Sequence, residues 1–251
     1  MAAQITVHDL AIGYDDRPIL EHLSFEVVPG AIFIVMGGSG SGKSTLLRNL
    51  VGLIRPLHGE IRYGERSFTG IPPEGCREIA RDFGVLFQSS ALWSSMTLAE
   101  NVALPIEEFT ELGPTQAREL ARLKLALVGL RGFEDFYPNQ ISGGMQKRAG
   151  LARAMALDPA ILFLDEPSSG LDPVTARRLD DLILELQGSL GITFVVVTHE
   201  LASIFTIGTD SIFLDAESGT AIAHGAPKRL RDQSPDPRVR QFLTRGGGGG
   251  T

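Results

Sequence analysis

Lys43 is the one long cationic side chain in a run of small ones, Gly37-Gly38-Ser39-Gly40-Ser41-Gly42-Lys43-Ser44-Thr45. Side chains this small let a backbone wrap tightly around a phosphate and aim its N–H groups inward. Lys43 can then reach β- and γ-phosphates, and the Ser44 hydroxyl can coordinate Mg²⁺. A second group capable of chemistry lies in ILFLDEP, Ile161 to Pro167, where Asp165 and Glu166 are adjacent carboxylates. Asp165 can hold Mg²⁺ through water. Glu166 can polarise an attacking water or accept its proton. The third is Ser142-Gly143-Gly144 in ISGGMQKRAGLARAMALDP, Ile141 to Pro159. Bare amides, a hydroxyl and a helix start together make an anion-binding device.

A Gly/Ser linker has the composition of the first run, so its flanks decide. AIFIVM before it is apolar throughout, as a buried strand is, and KSTLLRNLVGL after it carries Leu46, Leu47, Leu50 and Leu53 at helical spacing. Strand, loop and helix in that order are the context of a P-loop, G-x-x-x-x-G-K-[ST], here Gly37 to Ser44. The helix beginning near Lys43 adds the positive end of its dipole. Likewise ILFL reads as a buried strand that delivers Asp165 beside the P-loop. Ser142 is placed as an N-cap, and from Met145 a helix follows with Leu151, Ala154, Met155 and Leu157 on its apolar side. Two consecutive glycines cost about 1 kcal/mol each inside a helix, and a plain capped helix has no need of them. A P-loop alone still fits GTPases, kinases and helicases.

The chain that must position these groups has 251 residues, 43% of them apolar, enough to bury a real core. Its net charge of −7, from 23 basic and 30 acidic residues, argues against nucleic acid as the partner of the whole chain. The single cysteine, Cys76, has no internal partner, which fits a reducing compartment. The start, MAAQITVHDLAIGYDD, has no signal-peptide pattern, and no apolar stretch approaches the ~18 residues that cross a bilayer. Strands are expected at Ile5–Val7, Phe25–Val28, Ala31–Met36, Glu60–Tyr63, Val85–Phe87, Ile161–Leu164, Thr193–Val197 and Ser211–Leu214. Runs such as TFVVV, apolar rather than alternating, imply a parallel α/β sheet covered on both faces. Between Phe87 and Ile161 strand signals stop. Thr115–Val128 instead carries Leu120, Leu123 and Leu127 at helical spacing, with Gly129 as a stop. Residues about 90–160 therefore read as a helical subdomain inserted into the α/β core. The tail GGGGGT reads as flexible. His8, His22, His58 and His224 show no ligand spacing.

The Ser-Gly-Gly segment resembles the signature of ATP-binding cassette (ABC) ATPases, usually written LSGGQ, with Ile141 first, Met145 fifth and Gln146 one step later. Other motifs of that family follow in order over residues about 4–230. Tyr14 matches the aromatic that stacks on adenine. Gln88, after VLF, matches the glutamine that contacts Mg²⁺ or water. Asp172, in SSGLDP, matches the residue that bridges the halves of a dimer, and His199, after ITFVVVT, matches the switch histidine at the γ-phosphate. The resemblance implies an α/β P-loop (RecA-like) core with an inserted α-helical subdomain and an N-terminal antiparallel β portion. The domain is expected over residues 1–245, with core parts at about 1–89 and 161–230, a C-terminal extension at about 226–245 and a Gly-rich tail at 246–251.

The resemblance further implies ATP and Mg²⁺ as ligands, and a head-to-tail homodimer in which each signature closes over the other copy's P-loop. Soluble translation and DNA-repair relatives carry a second cassette, coiled coils or zinc insertions, and none of these is visible here. The expectation is therefore a transporter subunit on the cytoplasmic side of a bacterial inner membrane, peripheral through an integral-membrane permease. That permease should meet the groove near Gln88, including Ser89 to Asn101 with exposed Leu92, Trp93 and Met96. FQSSALWSSMTLAENVALPI, ISGGMQKRAGLARA, THELAS and RVRQFL are most similar to the ATPases of Mla/Mce-type transporters, which move phospholipids or related lipids. A lipid-binding substrate protein would complete such a system. The final segment, with Val239, Phe242 and Leu243, fits either a solvated tail or an extension that reaches the partner subunit.

Overall fold

The all-apolar runs of the sequence lie side by side. In the computed structural model, which describes residues 5–71 and 73–244, β3 (Ile32–Gly37), β8 (Thr193–Val197) and β7 (Ile161–Asp165) are adjacent parallel strands. β9 (Asp210–Asp215) joins β3 on one side and β6 (Phe83–Leu86) joins β7 on the other, both parallel. β10 (Thr220–His224) closes the edge antiparallel to β9, giving the order β10-β9-β3-β8-β7-β6. Ile32, Ile34, Met36, Leu162, Leu164, Phe194 and Val196 face one apolar cluster, and Phe33, Val35, Ile161, Phe163, Val195 and Val197 face another. A strand is apolar at every position because both its faces are covered.

The second cluster is covered by an antiparallel sheet of β1 (Ile5–Tyr14), β2 (Arg17–Val27), β4 (His58–Tyr63) and β5 (Arg66–Ser67), in the order β2-β1-β4-β5. Phe25 of this sheet stacks on Phe33 at 5.4 Å, and Tyr63, Phe68, Phe83 and Phe163 continue as a chain of ring contacts between the sheets. α1 (Lys43–Leu50) adds Leu46, Leu47 and Leu50 to the same cluster. Leu53, expected on that face, is 60% exposed, because the helix ends at Leu50 and the chain turns.

α2 (Pro73–Ala80) precedes β6, and between β6 and β7 the chain is helical, with α3 (Leu98–Phe109), α4 (Pro114–Leu127) and α5 (Gly143–Ala154). Thr97 starts α3 in a reciprocal box with Glu100, each side chain bonding the other's main-chain N–H. α4 matches the expected helix in position but not in face. Ala117, Ala121 and Leu125 are buried, whereas Leu123 and Leu127 point to solvent at 56% and 41% exposure. α4 packs closely on α3, and small alanines permit that approach where leucines would not.

α6 (Pro173–Leu190) and α7 (Leu201–Ile207) cover the first face of the parallel sheet, and α8 (Pro227–Gln233) and α9 (Pro237–Thr244) end the described chain. α9 is no solvated tail. Val239 and Leu243 are buried, the Phe242 ring meets Phe213 of β9 edge-on at 5.1 Å, and Arg238 reaches Asp215 at 2.7 Å. The expected Gly-rich tail lies outside the described residues. Among the described residues no helix is long and apolar enough to cross a membrane.

Candidate nucleotide-binding site

The carboxyl ends of β3, β8, β7 and β6 lie along one rim of the parallel sheet, where α/β sheets bind ligands. They deliver the start of the Gly37–Thr45 run, His199, Asp165 with Glu166, and Gln88 to one place. A cleft of about 620 Å³ opens there, lined by the whole run Gly37–Thr45 with Gln88, Glu166, His199, Ile19 and Phe242.

Gly42, at φ 84, turns the chain into α1, and no side chain caps that helix. Its first amides are left to bind an anion. Lys43 Nζ donates to the carbonyls of Gly37 at 3.0 Å and Gly38 at 2.7 Å, which folds the ammonium over the loop. Burial pushes Lys43 below the ordinary lysine value. Ser41 Oγ is buried without a hydrogen-bond partner. Ser44 Oγ donates to Asp165 Oδ1 at 3.4 Å. Burial, and then the neighbouring Glu166 charge, push the Asp165 carboxyl above the usual carboxylate range.

Glu166 has φ 47, in the left-handed region. That conformation costs a non-glycine residue about 1–3 kcal/mol and persists only where surroundings impose it. Here its N–H donates to Val197 O at 2.8 Å, and its carbonyl accepts from Ser169 N at 3.1 Å. The side chain is thereby aimed into the cleft. Glu166 Oε1 lies 2.7 Å from His199 Nδ1, and Oε2 is buried with no partner. Gln88 is exposed, and its Nε2 donates to Ser169 Oγ at 3.3 Å rather than to Ser44 or Asp165.

These orphaned atoms fit a phosphate with its metal. Ser41 Oγ is a buried hydroxyl free to donate to a phosphate oxygen, and Glu166 Oε2 is a buried acceptor free to take a hydrogen bond from water. Ser44 and Asp165 converge as a hydroxyl and a carboxylate, the hard oxygen set Mg²⁺ takes together with phosphate oxygens. Among the described residues no cluster of three or more His, Cys, Asp or Glu could hold a metal alone.

Four expected groups lie outside the cleft. Tyr14, 43% exposed, sits against α1, with its hydroxyl near Thr45 Oγ1 at 3.4 Å and accepting from Arg48 at 3.2 Å. Ser142 caps α5 by accepting from Met145 N at 3.3 Å, and Ser142 and Gly143 are exposed. Gly144 is buried for want of room, since a Cβ there would come 2.4 Å from Thr175 Cγ2. Asp172 caps α6 through Val174 N and Thr175 N, both at 3.0 Å. In the loop after Gln88, Trp93 is 58% exposed, but Leu92 and Met96 are half-buried. Asn101, fully buried, holds that loop by bonding both N–H and C=O of Trp93.

Sequence reasoning missed Ile19 and Phe242 on the cleft wall, and Lys147 and Arg153 on α5, which reach the loop after β6. The available signal for Lys147 was a cation one turn beyond Gly144, on the side of the helix that must be buried.

The sequence family described as ABC transporter matches residues 20–169. The intermembrane phospholipid transport system ATP-binding protein MlaF of Escherichia coli K12 is 39% identical over 243 residues, covering 97% of this chain and 89% of that protein. The probable ribonucleotide transport ATP-binding protein mkl of Mycobacterium tuberculosis is 38% identical, covering 97% of this chain and 67% of that protein. Among solved structures, a dimeric post-hydrolysis state of the ATP-binding cassette MJ0796 with ADP and Pi superimposes with a TM-score of 0.79 at 29% identity, covering 88% of this chain and 97% of that one. CbiO1 of Clostridium perfringens, part of the ABC transporter complex cbiONQ, gives 0.83 at 25% identity, covering 96% and 94%. The chain belongs to the ABC transporter family, as an ATP-hydrolysing subunit.

Proposed function

We propose that this ATPase energises the movement of phospholipids or related lipids across the bacterial cell envelope. It would do so as a homodimer on the cytoplasmic side of the inner membrane, held there by a permease and working with a lipid-binding substrate protein. Likeness to MlaF along 97% of the chain carries this reading. The likeness to mkl supports a second one, in which the cargo is a ribonucleotide. ATP-dependent transfer of a fluorescent phospholipid between vesicles by the chain with its permease, against uptake of labelled ribonucleotide, decides between them. Absence of lipid transfer rules out the first.

In this reading Lys43 and the amides of Gly37, Gly38, Ser39, Gly40, Ser41 and Gly42 hold the phosphates. Ser44, Asp165 and Gln88 would hold Mg²⁺, which would neutralise charge on the phosphate oxygens. Glu166 takes a proton from the attacking water through its free Oε2, and His199 orients Glu166 and meets the γ-phosphate. Thr45 supports the loop, and Tyr14 stacks on adenine. Ser142, Gly143 and Gly144 approach the γ-phosphate on the partner copy, and Asp172 crosses the dimer. The exposure of Ser142 and Gly143, away from their own cleft, supports that division. A single domain over residues 1–245 is the simplest account of the continuous apolar clusters.

The permease reading is supported by a second cleft of about 390 Å³ beside β6, walled by Val85, Leu104, Phe109 and Leu157. It is apolar enough to receive a short helix, and β6 leads from it directly to Gln88. Co-purification with a polytopic membrane protein, lost on filling this cleft by Leu104→Trp, tests the contact.

A further inference from the structure

α5, which starts at the Ser142 cap, lies against β6 and the loop after it. Lys147, Gly150 and Arg153 stand at i, i+3 and i+6, on one side of that helix. Gly150 has no room for a side chain, since a Cβ would come 2.7 Å from Leu86 Cδ1 and 3.2 Å from the Ser90 carbonyl. Arg153 donates to the carbonyls of Ala91 at 2.5 Å and Ser90 at 3.1 Å. Both acceptor residues are held at positive φ, 50 and 62. Lys147 does the same further along, donating to the carbonyl of Gln88 and, at 3.4 Å, to that of Glu166.

Lys147 is only 6% exposed. A buried ammonium is costly unless well partnered. Its hydrogen-bond acceptors here are main-chain oxygens from two separate strand ends, after β6 and after β7. Burial pushes the Lys147 ammonium below the ordinary lysine value, and the carboxylates of Asp165 and Glu166 offset part of that. Gly150 packs on Leu86 of β6, and Arg153 ties α5 to the loop after it. Lys147 is different because one of its two acceptors is the carbonyl of Glu166, whose φ of 47 must be imposed from outside.

We propose that Lys147 is a positioning residue for ATP hydrolysis, an ammonium that ties the Gln88 loop and the strained Glu166 turn to the signature helix. The inference rests on Glu166 acting on the attacking water as read above. Displacement of α5 is then felt at the Glu166 main chain without any change in the P-loop. Removing the ammonium should slow the chemical step and leave nucleotide affinity alone.

Steady-state ATPase measurements on the full chain test this. Lys147→Met keeps the aliphatic volume and removes the donors, and Lys147→Arg keeps charge and donors. K147M is expected to lower kcat at least about tenfold with KM for MgATP within about twofold and an unchanged unfolding midpoint, and K147R to recover most of the rate. Should K147M not fold, Lys147→Gln, whose amide still serves one carbonyl, is expected to lower kcat about threefold at constant KM. Wild-type kcat in K147M or K147Q overturns the proposal, and so does a joint shift of kcat, KM and unfolding midpoint. Glu166→Gln measured alongside separates the two readings. Normal hydrolysis by E166Q overturns the Glu166 assignment and this inference with it, whereas a silent E166Q beside a fully active K147M removes the Lys147 role alone.

Discussion

Glu166 divides its two oxygens between different tasks: Oε1 lies 2.7 Å from His199 Nδ1, and Oε2 is buried with no partner at all. A buried acceptor left unpaired costs about 1–3 kcal/mol, and more when charged, which fits the proposed role of this oxygen in accepting a proton. Glu166→Gln preserves shape and the His199 contact while losing the basic oxygen. The expected result is retained MgATP binding, kcat lower by about 10²-fold or more, and accumulation of ATP-bound dimer in size-exclusion chromatography. A variant that turns over at the normal rate would falsify the role.

Exposure of Ser142 and Gly143 outside their own cleft leads to a complementation test. Lys43→Ala and Ser142→Arg are each expected to be inactive. Mixed in equal amounts, half the dimers are hybrids, and each hybrid carries one site with both lesions and one with none. Hydrolysis should recover to roughly a quarter of the wild-type rate. If each chain completed its own site, mixing would restore nothing.

Gly144 packs against Thr175 of α6. Gly144→Ala places a methyl 2.4 Å from Thr175 Cγ2, an overpacking expected to cost about 1–3 kcal/mol. Thr175→Ser removes that methyl and keeps the hydroxyl that donates to Asp172 Oδ2 at 2.5 Å. Urea unfolding of the double variant should therefore show most of the loss restored, while no rescue would mean that Gly144 matters for some other reason.

Asp180 of α6 is 3% exposed, accepts a hydrogen bond from Ser203 Oγ of α7 at 2.9 Å, and is pushed up to about 6, mainly by burial. The folded carboxyl keeps its proton to about pH 6, whereas the unfolded one releases it near 3.8. Between those values the folded state binds more protons, so this group's contribution to stability falls as pH rises and is level above about pH 7. Asp180→Asn keeps an acceptor for Ser203 and carries no charge. It should be about 1–3 kcal/mol more stable than wild type at pH 8, with the difference fading toward pH 4. Equal pH dependence of the two proteins in urea unfolding would refute this.

Much of the architecture was legible because burial on both faces leaves an unmistakable pattern. The runs around Phe33, Phe163 and Val195 could be nothing but covered strands. β5 and β10 were not legible: two residues, and a short half-buried edge, carry no such pattern. α4 misled for a physical reason, since Leu123 and Leu127 of the expected stripe face solvent, whereas Ala117, Ala121 and Leu125 make the contact. At the site, the P-loop and Asp165–Glu166 were readable because each is contiguous. The left-handed turn at Glu166, the reach of Lys147 to two strand ends and the Phe242 wall depend on contacts across 19 to more than 150 positions in sequence, and no local spacing encodes them.

Phe242 gives the last described helix a stake in the nucleotide cleft. Its ring forms part of the wall, and it also abuts Phe213 of β9, the strand beside β3 from which the P-loop departs. Trimming the protein before Pro237 would strip one wall from the cleft and uncover Phe213. Shortened versions are thus altered enzymes, and activities measured on them describe a different protein.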